Sequence, residues 1–176
     1  MPLASPFAMD FEDHDLEISH DLPTTPPEAS RDPKRRGEIA ELAFMHKART
    51  LGFAVAKPYG DSEYYDFLLD VRSTDSHTHL WRVQVKSTIE FRQYRYFVNT
   101  AHSFTRTRQR CYQADQIDVI AAYIVPLQVW YVIPISALGS RQKIALYPNK
   151  KNSRGQFERY REAWDLMSGI GPAEPA

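Results

Sequence analysis

Along LWRVQVKST, Val83 and Val85 alternate with Arg82, Gln84 and Lys86. A period of two places the valines on one face of a strand and the three polar side chains on the other. The preceding YDFLLDVRS reads as a second strand, and TDSHTH between them as a hairpin turn centred near Asp75 and Ser76. Upstream, Ala40, Ala43, Phe44, Ala48 and Leu51 recur at helical spacing, and Gly52 stops the helix. FAVAKP is a short strand ended by Pro58. Downstream, IDVIAAYIV and VWYVIPI are apolar strands around a turn at Pro126 and Leu127. SALGSRQK predicts a short helix, IALYP a strand, and FERYREAWDLM a short closing helix. Between these parts, the run from Phe91 predicts an extended piece and then a helix from about Ser103 to Ala114. Helix, three strands, helix, two strands and helix give a mixed α/β or α+β domain.

Charge divides the chain in two. Residues 1–33 hold eight acids against one base, net −7, so the other 21 bases and 14 acids carry +7. The acidic arm is rich in proline and has no sustained period, which predicts disorder. A folded body follows over 34–168, and 169–176 read as a frayed tail. The basic body suits a polyanion. A single cysteine, Cys111, excludes an internal disulfide and a C-x-x-C metal site. No apolar run approaches the ~18 residues of a membrane span, and the acidic start carries no secretory signal. A cytoplasmic protein without a membrane partner is the expectation.

Four polar residues can converge. Asp66 opens the second strand, about nine residues before the turn centre, and Gln84 and Lys86 follow at about the same offset on the third. Antiparallel pairing then brings Asp66 beside them. Glu41 stands next to the apolar stripe of the first helix. Such a cluster suits metal-assisted phosphodiester hydrolysis. Magnesium takes oxygen ligands and keeps several waters. Asp66 would be the charged ligand, the Gln84 side-chain oxygen and the Val85 backbone carbonyl neutral ones, and Glu41 a ligand through water. Lys86 would lower the pKa of the attacking water and stabilise developing charge.

RGEIAELAF, YYDFLLDV and WRVQVKST together resemble the PD-(D/E)XK nuclease superfamily, in the order helix acid, strand Asp, strand x-x-K. Within it the chain is most similar to the bacterial intron-associated, homing-type endonucleases, where Q-x-K replaces E-x-K. IDVIAAY with WYVIPI, and IALYPNKKNSRGQ with YREAWDLM, extend the resemblance over roughly residues 34–168. It implies a restriction-endonuclease-like core with a central mixed sheet flanked by helices. It also implies Mg2+, with Mn2+ as an alternative, and cleavage of double-stranded DNA by a homo-oligomer. The proline of the PD motif is absent, since Tyr65 precedes Asp66.

Other readings compete. Glu41, Gln84 and Lys86 would ordinarily be solvated, and Lys86 facing a carboxylate an ordinary ion pair. Asp70, on the face of Asp66, reads as solvated or paired, and Asp118 as a structural cap. His77 and His79 fall in the hairpin turn without a third ligand. Arg92, Arg95, Arg106, Arg108 and Arg110, interleaved with aromatics and with no acid from Phe91 to Ala114, form the candidate DNA surface. Lys150 and Lys151 form a second patch. The motif Arg36-Gly37 followed by Glu41 also suits a junction resolvase or repair nuclease. Gln84 in place of an acid leaves open a catalytically inactive DNA-binding protein.

Overall fold

The computed structural model describes residues 28–60, 62–72, 78–103, 105, 108–149 and 155–168. The first helix, α1 (Pro33–Thr50), is capped by Asp32, whose carboxylate accepts from the Lys34 backbone N–H at 2.9 Å. Pro33 at its first turn lacks only an N–H that would have no helical partner. The short turn Glu28–Ser30, assigned above to the acidic arm, packs against α1. Ser30 is buried there, and its carbonyl accepts from Arg36 Nη1 at 3.0 Å.

Ten strands follow. They are β1 (Ala54–Ala56), β2 (Phe67–Arg72), β3 (Thr78–Thr88), β4 (Phe91–Arg92) and β5 (Arg95–Asn99). Next come β6 (Ala101–Ser103), β7 (Gln109–Cys111), β8 (Val119–Ile124), β9 (Val129–Pro134) and β10 (Lys143–Leu146), with a one-turn helix α2 (Ile135–Leu138) before β10. The central sheet runs β1-β2-β3-β8-β9. All its pairings are antiparallel except β3 with β8, so the sheet is mixed.

Alternation sorts the side chains onto two cores. Phe67, Leu69, Val71, Val83, Val85, Val119, Ala121 and Val132 face α1, whose Ala40, Phe44 and Ala48 are fully buried. Phe44 stacks on Phe67 at 5.1 Å and meets Trp130 and Trp164 at 5.7 and 5.9 Å. The opposite face carries Ile120, Ala122, Ile124, Tyr131 and Ile133. A smaller sheet, β10-β5-β4, covers that face with Val98, Ile144 and Leu146. Strands, rather than a second long helix, therefore cover the second face. Among the described residues no helix is long and apolar enough to cross a membrane.

Two expected helices are replaced. The stretch expected as a helix from Ser103 to Ala114 instead holds the end of β6 and all of β7, a hairpin with Ala101 opposite Cys111 and Ser103 opposite Gln109. The run has no apolar stripe at helical spacing, so β-branched Thr105 and the Asn99 side chain, which caps the Ala101 N–H at 2.9 Å, are unopposed. The closing segment forms two 3-10 turns, Glu158–Tyr160 and Trp164–Met167. They part at Glu162 (φ 49°), whose carboxylate accepts from the Trp130 backbone at 2.7 Å and the Trp164 indole at 2.8 Å. His79 lies within β3, not in the turn, with its ring 4.6 Å from Trp81. His77 is outside the described residues.

No tight turn can set the register of parallel β3 and β8. A side-chain clamp does so instead. Asp118 accepts from the Arg82 backbone N–H at 2.8 Å and from its Nε and Nη2 at 3.1 and 2.7 Å, while Asp118 N donates to the Arg82 carbonyl at 2.9 Å. Burial alone would push the Asp118 carboxyl up, but these bonds from Arg82 hold it below the ordinary range. Asp118 is thus structural, as expected. Replacing it with alanine leaves the Arg82 N–H without this partner. Asp118→Ala should cost about 1–3 kcal/mol, read as a lowered urea midpoint at pH 7. An unchanged midpoint would reject the clamp.

Candidate active site

Asp66 stands just before β2, and its N–H donates to the Val83 carbonyl at 2.9 Å, extending the β2–β3 ladder by one residue. Phe67 faces Val83, so Asp66 falls opposite Gln84, as the spacing of the hairpin predicted. Asp66 Oδ2 accepts from the Val85 backbone N–H at 2.7 Å and from Gln84 Nε2. Gln84 is only 9% exposed although it is polar on a strand buried on both sides. Its Nε2 also lies 3.3 Å from the Val85 carbonyl, and its Oε1 accepts from the Tyr112 hydroxyl at 3.0 Å. Every polar atom of this buried amide is therefore engaged.

Lys86 follows two residues later on the same face. Its ammonium sits 5.2 Å over the Tyr112 ring. Burial pushes the ammonium below the usual lysine range, and Asp66 opposes that shift. Glu41 reaches the site from α1. Its carboxylate pairs with Lys57 at 2.6 Å, and Glu41, Lys57, Glu63 and Asp66 line one cleft of about 130 Å³. Gly60 (φ 78°) turns the chain under that cleft. At roughly 30 Å³ per water, the cleft has room for a partly hydrated ion.

Burial raises the Asp66 carboxyl from 3.8 to about 6. The Val85 N–H opposes this, Glu41 adds to it, and Lys86 and Lys57 oppose it. A buried carboxylate held in this way gains from any cation placed against it. Gln84 Nε2 already points at that place, with Asp66 Oδ2 and the Val85 carbonyl as its acceptors. The amide N–H2 thus stands where two oxygens converge. Those oxygens suit a hard divalent ion. Among the described residues no group of three or more His, Cys, Asp or Glu gathers as a metal site, so neutral oxygens would have to complete one.

The site residues read from the sequence split into two groups. Asp66, Gln84, Val85 and Lys86 come together, with Glu41 across the cleft. The described arginines among them sit on two ribbons, β4–β5 and β6–β7. Arg92 is exposed on β4 and lies 3.5 Å from Glu90. Arg95 is tied down, with Nη2 on Gln93 Oε1 at 2.6 Å, Nη1 on the Tyr147 hydroxyl at 3.2 Å, and its guanidinium 5.0 Å over Phe97. Arg108 and Arg110 are exposed on the separate β6–β7 hairpin. Arg106, Lys150 and Lys151 lie outside the described residues. Asp70 lies on β2, four residues along from Asp66, opposite Ala54 and Leu80, and does not line the cleft.

Lys57 and Tyr112 were missed. Lys57 had a signal, its place just before the Pro58 turn that leads to Asp66. Tyr112 was hidden by the helix expected over 103–114.

The family profile described as PD-(D/E)XK endonuclease matches residues 31–167. The chain belongs to the PD-(D/E)XK endonuclease family. Its structure is also similar to that of I-Ssp6803I, a bacterial homing endonuclease, with 31% sequence identity and a TM-score of 0.68. The match covers 81% of this chain and 97% of that one. No curated protein matches the chain. The resemblance to the superfamily and the mixed-sheet nuclease fold are thereby established, and the chain is a nuclease.

The raised Asp66 carboxyl has a consequence for stability. The folded chain holds this proton more tightly than the unfolded chain, so the cation-free protein loses stability as pH rises from about 4 to about 6, and no more above that. Asp66→Asn has no such proton. With a chelator present, the wild type should lose on the order of 1–3 kcal/mol relative to Asp66→Asn between pH 4 and pH 7. Urea midpoints that keep a constant offset across that range would refute it.

Proposed function

We propose that the chain is a divalent-metal-dependent endonuclease that hydrolyses phosphodiester bonds in double-stranded DNA, in the manner of a homing endonuclease. The observation that carries this reading is the meeting of Asp66, Gln84 and the Val85 backbone at one point, with Glu41 across the cleft and Lys86 beside it. Asp66, the Gln84 side-chain oxygen and the Val85 carbonyl would hold Mg2+, or alternatively Mn2+, with Glu41 acting through water. When bound, the ion polarises the phosphate and lowers the pKa of a water. Lys86 lies on the face that would meet the scissile phosphate. Its ammonium neutralises charge growing on the phosphate oxygens. Asp66 fixes the Gln84 amide and, through the Val85 N–H, the strand that carries Lys86.

Arg92, Arg108 and Arg110 supply exposed charge for phosphates, with Arg106, Lys150 and Lys151 added by sequence. Tyr94, 87% exposed at the tip of the β4–β5 turn, offers a ring beside Arg92 and Arg95. A homo-oligomer would bring one site to each strand of the duplex. A cytoplasmic location belongs to the same reading. A junction resolvase of the same superfamily is the second reading, favoured by Arg36-Gly37 and Glu41 on one helix.

Cleavage of supercoiled plasmid and of a four-way junction, each with Mg2+, tests both. The wild type should cut, and Lys86→Ala and Asp66→Ala should each lower the rate by at least about 10²-fold. Undiminished cutting by both variants would place the active site elsewhere, and junction-only cutting would select the resolvase. The acidic arm gives a further expectation. Removing residues 1–27 should tighten DNA binding and steepen its salt dependence, because a tethered polyanion competes with DNA for the basic body. An unchanged salt slope in a filter-binding titration would dismiss that competition.

A further inference from the structure

Tyr112 follows β7, far in sequence from Asp66 and Gln84, yet it is 5% exposed and its hydroxyl is the only described partner of Gln84 Oε1. A glutamine differs from the acid it replaces in one respect. Its two terminal atoms are unlike, and only one of them can serve a cation. In the cation-free geometry Nε2 faces Asp66 Oδ2 and the Val85 carbonyl, while Oε1 faces Tyr112. A cation held by Asp66 would meet the wrong end of this amide. A half-turn of the amide exchanges the two atoms. Most buried partners would then be left unpaired, because a carbonyl can only accept and an N–H can only donate. A phenol hydroxyl can do either.

We infer that Tyr112 is a positioning residue whose hydroxyl keeps either end of the Gln84 amide paired, and so lets the amide present its oxygen to an ion at Asp66. It donates to Oε1 in the cation-free site and accepts from Nε2 once the amide has turned its oxygen toward the ion. The half-turn therefore leaves no buried polar atom of Gln84 unpaired on the Tyr112 side. The Tyr112 ring has a separate role. Lys86 lies over its face, and a phenylalanine ring would keep that contact. Tyr112→Phe thus removes the hydroxyl alone.

This inference rests on Gln84 as an oxygen ligand, so the experiment tests the two separately. Mn2+ is the probe, and its affinity for the full chain is measured without DNA, by counting free Mn2+ in electron paramagnetic resonance titrations. Tyr112→Phe should weaken Mn2+ binding about tenfold, at the low end for partners that orient metal ligands. The same substitution made in the Gln84→Glu background should weaken it less than about threefold, because both ends of a carboxylate are oxygen. A merely structural role would give equal losses in the two backgrounds, and that result, or no loss in the wild-type background, overturns the inference. Gln84→Ala reports on the premise. If it leaves Mn2+ affinity unchanged, the reading of Gln84 as a ligand fails. If it weakens binding while Tyr112→Phe does not, only the role of Tyr112 fails.

Discussion

One oxygen of Asp66 accepts from both the backbone and the side chain of the adjacent strand, and the rest of the site hangs from that junction. The Val85 bond pins the strand. The Gln84 bond pins the amide, which in turn reaches Tyr112 just after β7. Because β3 alternates, fixing Gln84 inward on this face also fixes Lys86 on it. A slip of one residue would send both into the core around Phe44 and bring valines to the cleft. Two constraints prevent the slip: the β2–β3 hairpin and the Arg82–Asp118 clamp to parallel β8. The catalytic face is therefore held from both neighbouring strands.

The glutamine makes electrostatic sense at this junction. Asp66 is already pushed up, first by burial and then by Glu41. A third carboxylate at position 84 would add like charge at hydrogen-bond distance and push further. An amide donates to the charged form of Asp66 instead and favours it. Lys57, paired with Glu41 across the cleft, offsets the second charge. The cation-free site is thus less repulsive than a three-acid site would be. The cost lies in the ion, which meets one negative charge fewer.

Much of this was legible in the chain, for a physical reason. The hairpin joining Asp66 to Gln84 is local, and a period of two with a turn in its middle determines its register. The stripe Ala40, Phe44, Ala48 is local too, and it packs as its spacing implied. The β6–β7 hairpin was not legible. Arg, Gln and Thr carry weak preferences, and that ribbon is set by the Asn99 cap and its pairing rather than by an apolar pattern. Misreading it as a helix also concealed Tyr112. The break in the closing segment depends on Glu162 reaching the Trp130 backbone and the Trp164 indole, which only the folded chain brings together.

A sheet buried on both faces has little room for polar side chains, and the few it admits constrain each other. Gln84 is tolerated at 9% exposure because Asp66, Val85 and Tyr112 together satisfy it. Remove any one of the three and a buried polar group loses its partner, at about 1–3 kcal/mol. The same requirement that makes the site chemically poised makes it structurally brittle. Tyr112 belongs to the ribbon that carries Arg108 and Arg110, with the His102 ring packed 4.9 Å from its own. A displacement of that ribbon would reach the Gln84 amide through one hydroxyl. The exposed arginines and the buried oxygens are thus parts of one packed unit, although they come from separate stretches of the chain.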